Sequence, residues 1–171
     1  MALREDQIQR YSRQILLKEV GGRGQSRLLD AVLMVEVQSQ ALDVAIAELG
    51  ASGTPLLDPA GPERTGFLSG TTLEALSPDA VAAPTRAVAG WLGPFSRGAA
   101  APVGCFRVGV SAGAIVGLPA HVPWPEHEPS AQPAEPVTAG SLAALVVQRF
   151  ALGLDTSPVT VRWDGHRWQR D

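Results

Sequence analysis

The turn Glu36-Val37-Gln38-Ser39-Gln40-Ala41 is the place where this sequence would handle phosphate. Before it lies an apolar, β-branched run, Ala31–Val37, of strand length. After it, Ala41, Leu42, Ala45, Ile46 and Leu49 fall on one face of a helix. Thr54–Leu57 reads as a second short strand, so the order opens a βαβ unit. In nucleotide-binding units of this kind the turn is glycine-rich, and bare backbone N–H groups with the helix N-terminus reach the phosphate. This turn contains no glycine, and Glu36 puts a negative charge where phosphate would lie. The expectation is a closed structural turn with no bound cofactor, although the free N–H groups of the helix start still suit a weak anion.

Three further groups of residues have chemistry-bearing types. Cys105 is the only cysteine. It stands between Gly104 and Phe106 in an expected strand, with no histidine near it in sequence, and is expected to be a buried, inert thiol. His121, Glu126, His127 and Glu128 are metal-ligand types, but Pro123-Trp124-Pro125 interrupts them and their spacing matches no rigid element. They are expected to be polar loop residues, with no metal site. Trp124, flanked by prolines, has two readings: an exposed anchor that buries itself in a partner, or a plug folded back over the sheet. Trp163 and Trp168 read as hairpin packing.

The elements that must position these residues follow from periodicity and punctuation. Gln7–Leu17 places Ile8, Tyr11 and Ile15 at helical spacing, Gly21-Gly22 breaks that helix, and Gln25–Leu29 adds a short helical turn. Gly50 stands where a left-handed cap would end the helix after the turn. Ser77-Pro78-Asp79 predicts a helix start, with the helix kinked near Pro84 and running to about Trp91. Val103–Val110 and Ala114–Leu118 predict strands joined by Ser111-Ala112-Gly113. Pro119–Pro136 predicts an exposed, extended linker. Thr138–Leu152 predicts a helix capped by Thr138, burying Leu142, Leu145, Val146 and Phe150, and ended by Gly153. Ser157–Trp163 and His166–Gln169 flank Asp164-Gly165, the signal of a type I′ hairpin, with Val159, Val161, Trp163, His166 and Trp168 on one face.

Bulk properties bound the function. The chain has 171 residues, a formal net charge of −3 and a pI near 5.6. That length suits one domain with a substantial core. No basic patch argues for nucleic acid and no apolar run reaches membrane-spanning length. The polar start, Arg4-Glu5-Asp6, has no signal-peptide character, and a single cysteine fits a reducing cytosol, so a cytoplasmic location is expected. A lone cysteine also excludes an intrachain disulfide and any multi-cysteine zinc site.

Arg10-Tyr11-Ser12-Arg13-Gln14-Ile15-Leu16-Leu17, followed by Gly21-Gly22-x-Gly24-Gln25-x-x-Leu28-Leu29 and the strand Ala31–Val35, resembles the N-terminus of the ThiF/MoeB/HesA family. These are the bacterial relatives of ubiquitin-activating enzymes. The late helix and terminal strands resemble that family too, so the likeness spans roughly 1–58 and 103–170 and fails between. The resemblance implies a Rossmann-like sheet that binds ATP, adenylation of the C-terminal glycine of a ubiquitin-like or sulfur-carrier protein, and a dimer. It also implies that the second arginine of the string, here Arg13, reaches across to the partner's ATP, a task suited to a permanently charged, forked guanidinium. Residues 60–100 depart from the family. They hold Gly61-Pro62-Glu63-Arg64-Thr65-Gly66 where the family places an aspartate and arginine for Mg-ATP, and Pro119-Ala120-His121-Val122-Pro123 replaces a cysteine zinc knuckle.

The sequence therefore predicts an α/β fold: a Rossmann-like three-layer sandwich with a mainly parallel sheet, helices on both faces and an antiparallel C-terminal hairpin. It divides into an N-terminal helical arm (1–30), a βαβ unit without the glycine-rich loop (31–58), a shortened middle (59–102), a proline-rich linker (119–136) and a C-terminal helix and hairpin (137–171). The function expected is that of a pseudoenzyme subunit, paired with an active adenylating homologue or self-dimerised, in contact with a small carrier protein. Arg10, Tyr11, Arg13 and Trp124 are the expected partner contacts. The alternatives are a shortened active adenylyltransferase, with ATP and magnesium of its own, and a scaffold module.

Overall fold

A computed structural model describes residues 2–36, 39–58, 73–83, 86–154 and 157–171. Seven strands form one mixed sheet in the order β2-β1-β3-β4-β5-β6-β7. They are β1 (Val32–Val35), β2 (Leu56–Leu57), β3 (Val88–Pro94), β4 (Phe106–Val110), β5 (Ala114–Leu118), β6 (Val159–Trp163) and β7 (Trp168–Arg170). The strands β2, β1, β3 and β4 run parallel, and β5, β6 and β7 add antiparallel pairs. The α/β reading and the antiparallel C-terminal hairpin are both present.

Two long helices, α4 (Gln40–Ala51) and α6 (Pro136–Leu152), cover one face of the sheet. Leu42, Ala45 and Leu49 of α4 share one core with Ala143, Val147 and Phe150 of α6, and with Leu33, Leu92, Val108 and Ile115 from the strands. The two helices touch through backbone: a Cβ on Gly140 would lie 2.5 Å from the Ala41 carbonyl oxygen and 2.6 Å from Val44 Cβ. Over β3, β4 and β5 the opposite face is covered by Phe95, Val122 and Trp124, which pack on Val116 and Leu118. Phe95 opens a short 3₁₀ helix, Phe95–Ala100.

Several boundaries differ from the sequence expectation. The N-terminal arm is α1 (Glu5–Arg10) and α2 (Ser12–Ile15), interrupted at Tyr11, and Gly21 opens α3 (Gly21–Asp30) rather than ending a helix. Gly50 lies inside α4; the left-handed residue is Gly53, at φ +83°, packed so closely on Tyr11 that a Cβ would meet its hydroxyl at 2.4 Å. No helix starts at Ser77. It follows α5 (Leu73–Leu76), and its hydroxyl accepts the Asp79 N–H at 3.2 Å within a turn. The backbone beyond is held by β2: Leu56 N–H donates to the Ala80 carbonyl and Ala82 N–H to the Leu56 carbonyl. Those bonds draw the chain alongside the sheet, and Trp91 lies in β3.

Val103 precedes β4, and Cys105 sits just before it. The proline-rich stretch holds no regular element, yet it is tethered: Gln132 N–H donates to the Trp163 carbonyl and Ala134 N–H to Ala112. α6 begins at Pro136, capped by Glu135 instead of Thr138, and Leu145 is 51% exposed while Ala143, Ala144 and Val147 point inward. Gly153 does close it, left-handed at φ +68°. The last hairpin pairs Trp163 with Trp168, leaving a four-residue loop rather than an Asp-Gly two-residue turn. The Asp164 carboxylate sets this loop by accepting the N–H groups of His166 and Arg167 at 2.8 and 2.9 Å. Among the described residues no helix is long and apolar enough to cross a membrane.

Because a backbone carbonyl stands where a Gly140 side chain would grow, Gly140→Val must separate α4 from α6. Chemical denaturation should show a loss of about 2–3 kcal/mol, the range for overpacking a rigid core. Surface Val137→Ala, one turn earlier, should move stability by less than about 0.5 kcal/mol.

Candidate functional site

In an open parallel sheet the ligand crevice lies outside the carboxyl ends of the strands, where the strand order reverses. Here that point falls between β1 and β3, with the chain entering α4 from β1. Ser39 begins α4 in extended conformation, and its hydroxyl accepts the Leu42 N–H at 3.3 Å, so the free end of the helix is capped by its own side chain. Asp43 is buried in the first turn. Val37 and Gln38 lie outside the described residues, as do Glu63, Arg64 and their neighbours.

Glu36 leaves β1 beside this helix start. Its carboxylate accepts the Trp91 indole N–H at 3.1 Å, and Arg97 Nε stands 3.5 Å from its other oxygen. The acid expected to repel phosphate is therefore engaged in an ion pair and a hydrogen bond within the chain. Further along, a cleft of about 340 Å³ lies against Ser39, Gln40, Pro94 and Ser111, under Pro133 and Ala134 of the proline-rich stretch. No charged side chain is among its described lining residues. The start of α6 faces the same cleft, and Glu135 caps it: its carboxylate accepts the N–H groups of Val137 and Thr138 at 3.0 and 2.8 Å. Those backbone donors hold the Glu135 carboxyl below the usual carboxylate range. At each helix start facing the cleft a side-chain oxygen of the chain accepts backbone N–H groups, one at α4 and two at α6.

A second polar assembly fastens the N-terminal arm. Asp79 accepts from Gln7 Nε2 at 3.0 Å, from the Tyr11 hydroxyl at 2.9 Å, from Arg10 Nη1 at 2.8 Å and from Arg4 Nη2 at 3.3 Å. Ser77 Oγ lies 2.7 Å from the same Tyr11 oxygen. Burial alone would push the Asp79 carboxyl up, but the donors Gln7, Tyr11 and Arg4 and the charge of Arg10 hold it below its ordinary value.

The candidate partner contacts are placed differently from one another. Arg13 is exposed on α2, and among the described residues it makes no ion pair. Tyr11 is only 2% exposed, so it is not a surface contact of this chain; its ring packs on Gly53 and its hydroxyl is held by Asp79 and Ser77. Arg10 is committed to Asp79 and, at 3.8 Å, to Asp6. Trp124 is half-buried, the plug of its two readings: its ring meets Trp91 edge-on at 6.0 Å, lies 5.2 Å from Phe95 and donates its N–H to the Phe95 carbonyl. Cys105 is 3% exposed, burial pushes its thiol up, and it donates to the Pro102 carbonyl. His121, Glu126, His127 and Glu128 are exposed, and no three metal-ligating side chains converge among the described residues.

Sequence reasoning missed Asp79, Arg97 and Glu135. Only Glu135 carried a signal, an acid directly before a proline at a helix start.

No family model matches the sequence, and no curated protein does. Solved structures do match in fold. The crystal structure of PaaA superposes with a TM-score of 0.59 at 12% identity, over 99% of this chain and 74% of PaaA. Escherichia coli MccB, solved with a succinimide, gives 0.55 at 13% identity, over 95% of this chain and 71% of MccB. MccB with MccA-N7isoAsn gives 0.54 at 14% identity over 71% of that chain. The chain has a ThiF-like fold. At these identities the likeness speaks for the ThiF-like sheet and its connections alone.

The Asp79 assembly gives this ThiF-like fold an acid-sensitive joint. Its folded-state pKa lies below the unfolded value, so its stabilisation is complete above the unfolded carboxylate range and is lost as pH falls through the folded value. Asp79→Ala should cost about 2–3 kcal/mol at neutral pH by stranding its donors. Asp79→Asn should flatten the acid limb of stability measured by urea denaturation against pH; an unchanged limb would place the sensitivity elsewhere.

Proposed function

We propose that this chain is a non-catalytic ThiF-like subunit. In this reading it pairs with an active, ATP-dependent adenylating homologue that acts on a ubiquitin-like or sulfur-carrier protein. The observation that carries the proposal is the environment of Glu36. At the carboxyl end of β1, a phosphate seat needs bare amides and positive potential. This chain has an acid there, tied to Trp91 and Arg97. The uncharged cleft and the self-capped starts of α4 and α6 support the same reading, since triphosphate requires cationic or amide donors that are still free. The N-terminal string that resembles the ThiF/MoeB/HesA family supplies the link to adenylation, and exposed Arg13 is the residue offered to the partner's nucleotide.

Calorimetry with Mg-ATP and ATP–pyrophosphate exchange test the proposal directly. The chain alone should show neither binding nor exchange. Exchange by the chain alone would establish the competing reading, a shortened adenylyltransferase. Co-expression with a ThiF-like homologue should give a stable complex, and Arg13→Ala should slow the partner's adenylation about tenfold or more, the scale of a guanidinium on phosphate. A complex whose rate ignores Arg13→Ala removes the arginine's role, and a stable complex with unrelated proteins alone would favour a scaffold.

A further inference from the structure

We propose that Asp79 is a positioning residue for Arg13. Its carboxylate fixes Tyr11, the joint between α1 and α2, and so sets where α2 presents the Arg13 guanidinium. This rests on the functional reading above, in which Arg13 serves the nucleotide of an active homologue.

The arm cannot hold its shape alone. α1 has six residues and α2 four, well short of the roughly 12–15 that an isolated helix needs. Tyr11 joins the two at φ −100° and ψ 16°. Its N–H donates to the Gln7 carbonyl at 2.9 Å and ends α1. Its carbonyl accepts the N–H groups of Gln14 and Ile15, each at 3.0 Å, and begins α2. Arg13 stands two residues beyond this joint. Its side chain is exposed and makes no ion pair among the described residues, so its direction is set by the backbone of α2. Whatever holds Tyr11 therefore aims Arg13.

Asp79 is built to hold it. The carboxylate stands on backbone that is tied to the sheet: Leu56 of β2 donates to the Ala80 carbonyl and accepts from Ala82 N–H. Gln7, Arg10 and Tyr11 fall at i, i+3 and i+4, one face of the arm, and all three donate to Asp79. Asp6 also touches Arg4 and Arg10, but it lies on the arm itself and ties nothing to the body. The Asp79 side chain is only 13% exposed, so these charge-assisted bonds face little competition from water. Its carboxyl is held below the ordinary carboxylate value, which keeps the fastening charged at neutral pH. The grip is therefore a standing one and no switch. Burial first, and then the Asp79 hydrogen bond and charge, hold the Tyr11 phenol above its ordinary value against the opposing Ser77 and Arg10 contacts.

Tyr11 is the only tyrosine in the chain, so its ionisation can be read by absorbance. In the chain alone, Asp79→Asn should bring that ionisation back toward the ordinary tyrosine value. In complex with a ThiF-like adenylating homologue, Asp79→Asn should lower the homologue's kcat, at saturating ATP and saturating subunit, by about tenfold or more. Tyr11→Phe keeps the ring on Gly53 and loses only the hydroxyl; it should act in the same direction even if Asp79→Asn folds poorly. Asp79→Asn added to Arg13→Ala should cost nothing further, because an absent guanidinium cannot be misplaced, whereas a merely structural loss would multiply. A homologue slowed by Arg13→Ala yet indifferent to Asp79→Asn and Tyr11→Phe, or two losses that multiply, would overturn this inference and leave the functional reading standing. A rate indifferent to Arg13→Ala would remove the arginine's role and this inference with it. A tyrosine titration unmoved by Asp79→Asn would overturn the inference whatever the homologue does.

Discussion

The contact on which this fold depends is backbone against side-chain-free backbone, where α6 crosses α4 at Gly140. A Cβ there would fall 2.5 Å from the Ala41 carbonyl oxygen. No side chain fits, so the two helices settle closer together there than any residue but glycine allows. Alanines at 41, 45, 139, 143 and 144 belong to the same packed core. The consequence reaches the carboxyl edge of the sheet. α4 starts there because it follows a parallel strand, and the close crossing brings the first turn of α6 to the same cleft. Two helix starts, each a source of positive potential, are thereby aimed at one place. There Ser39 accepts the Leu42 N–H and Glu135 those of Val137 and Thr138.

The opposite face shows a different solution to covering a sheet. Trp124 arrives on an irregular stretch and occupies space that a helix would fill in a regular three-layer sandwich. It lies so near β4 and the 3₁₀ helix that a Cβ on Gly109 would meet it at 2.6 Å and one on Gly98 at 2.0 Å. Two glycines thus make room for one indole. Arg107 lies over the ring at 5.5 Å and its guanidinium also donates to the Val122 carbonyl, so the stretch is held on both sides of the tryptophan. Prolines cannot pair as a strand or continue a helix, which leaves such a segment to be fixed by a few anchors. Gln132 and Ala134 add two more, at the hairpin and at the β4–β5 connection.

What was legible in the sequence was whatever repeats locally. The strand–turn–helix around Ser39, the long helix ended by Gly153 and the paired terminal strands all follow from periodicity and from end signals. What was hidden depends on partners far apart in the chain. Ser77-Pro78-Asp79 has every local mark of a helix start, and it failed because Leu56 claims the neighbouring backbone and Tyr11 and Gln7 claim the side chains. Tyr11 and Arg10 look like surface residues of an amphipathic arm for the same reason: their common partner, Asp79, is invisible until the arm is folded onto the turn. Thr138 was the wrong cap since a proline at the first helical position moves the cap three residues earlier, to Glu135. The side on which Trp124 would lie was undecidable from its neighbours, because the glycines that admit it sit at 98 and 109.

Glu36 shows how a residue's reading changes once its partners in the fold are known. Read alone, the residue is a repulsive charge at the end of β1. Within the fold it is a fastening: it joins the end of β1 to Trp91 in β3 and to Arg97 in the 3₁₀ helix beyond it. Arg97 is thus engaged by an internal acid at the end of β1. Beside it, Ser39 accepts the Leu42 N–H and Glu135 those of Val137 and Thr138. Glu36, Ser39 and Glu135 at this edge each have a partner in the same chain. Under the proposed non-catalytic reading, such an arrangement keeps the sheet and its connections while engaging donors that triphosphate would need.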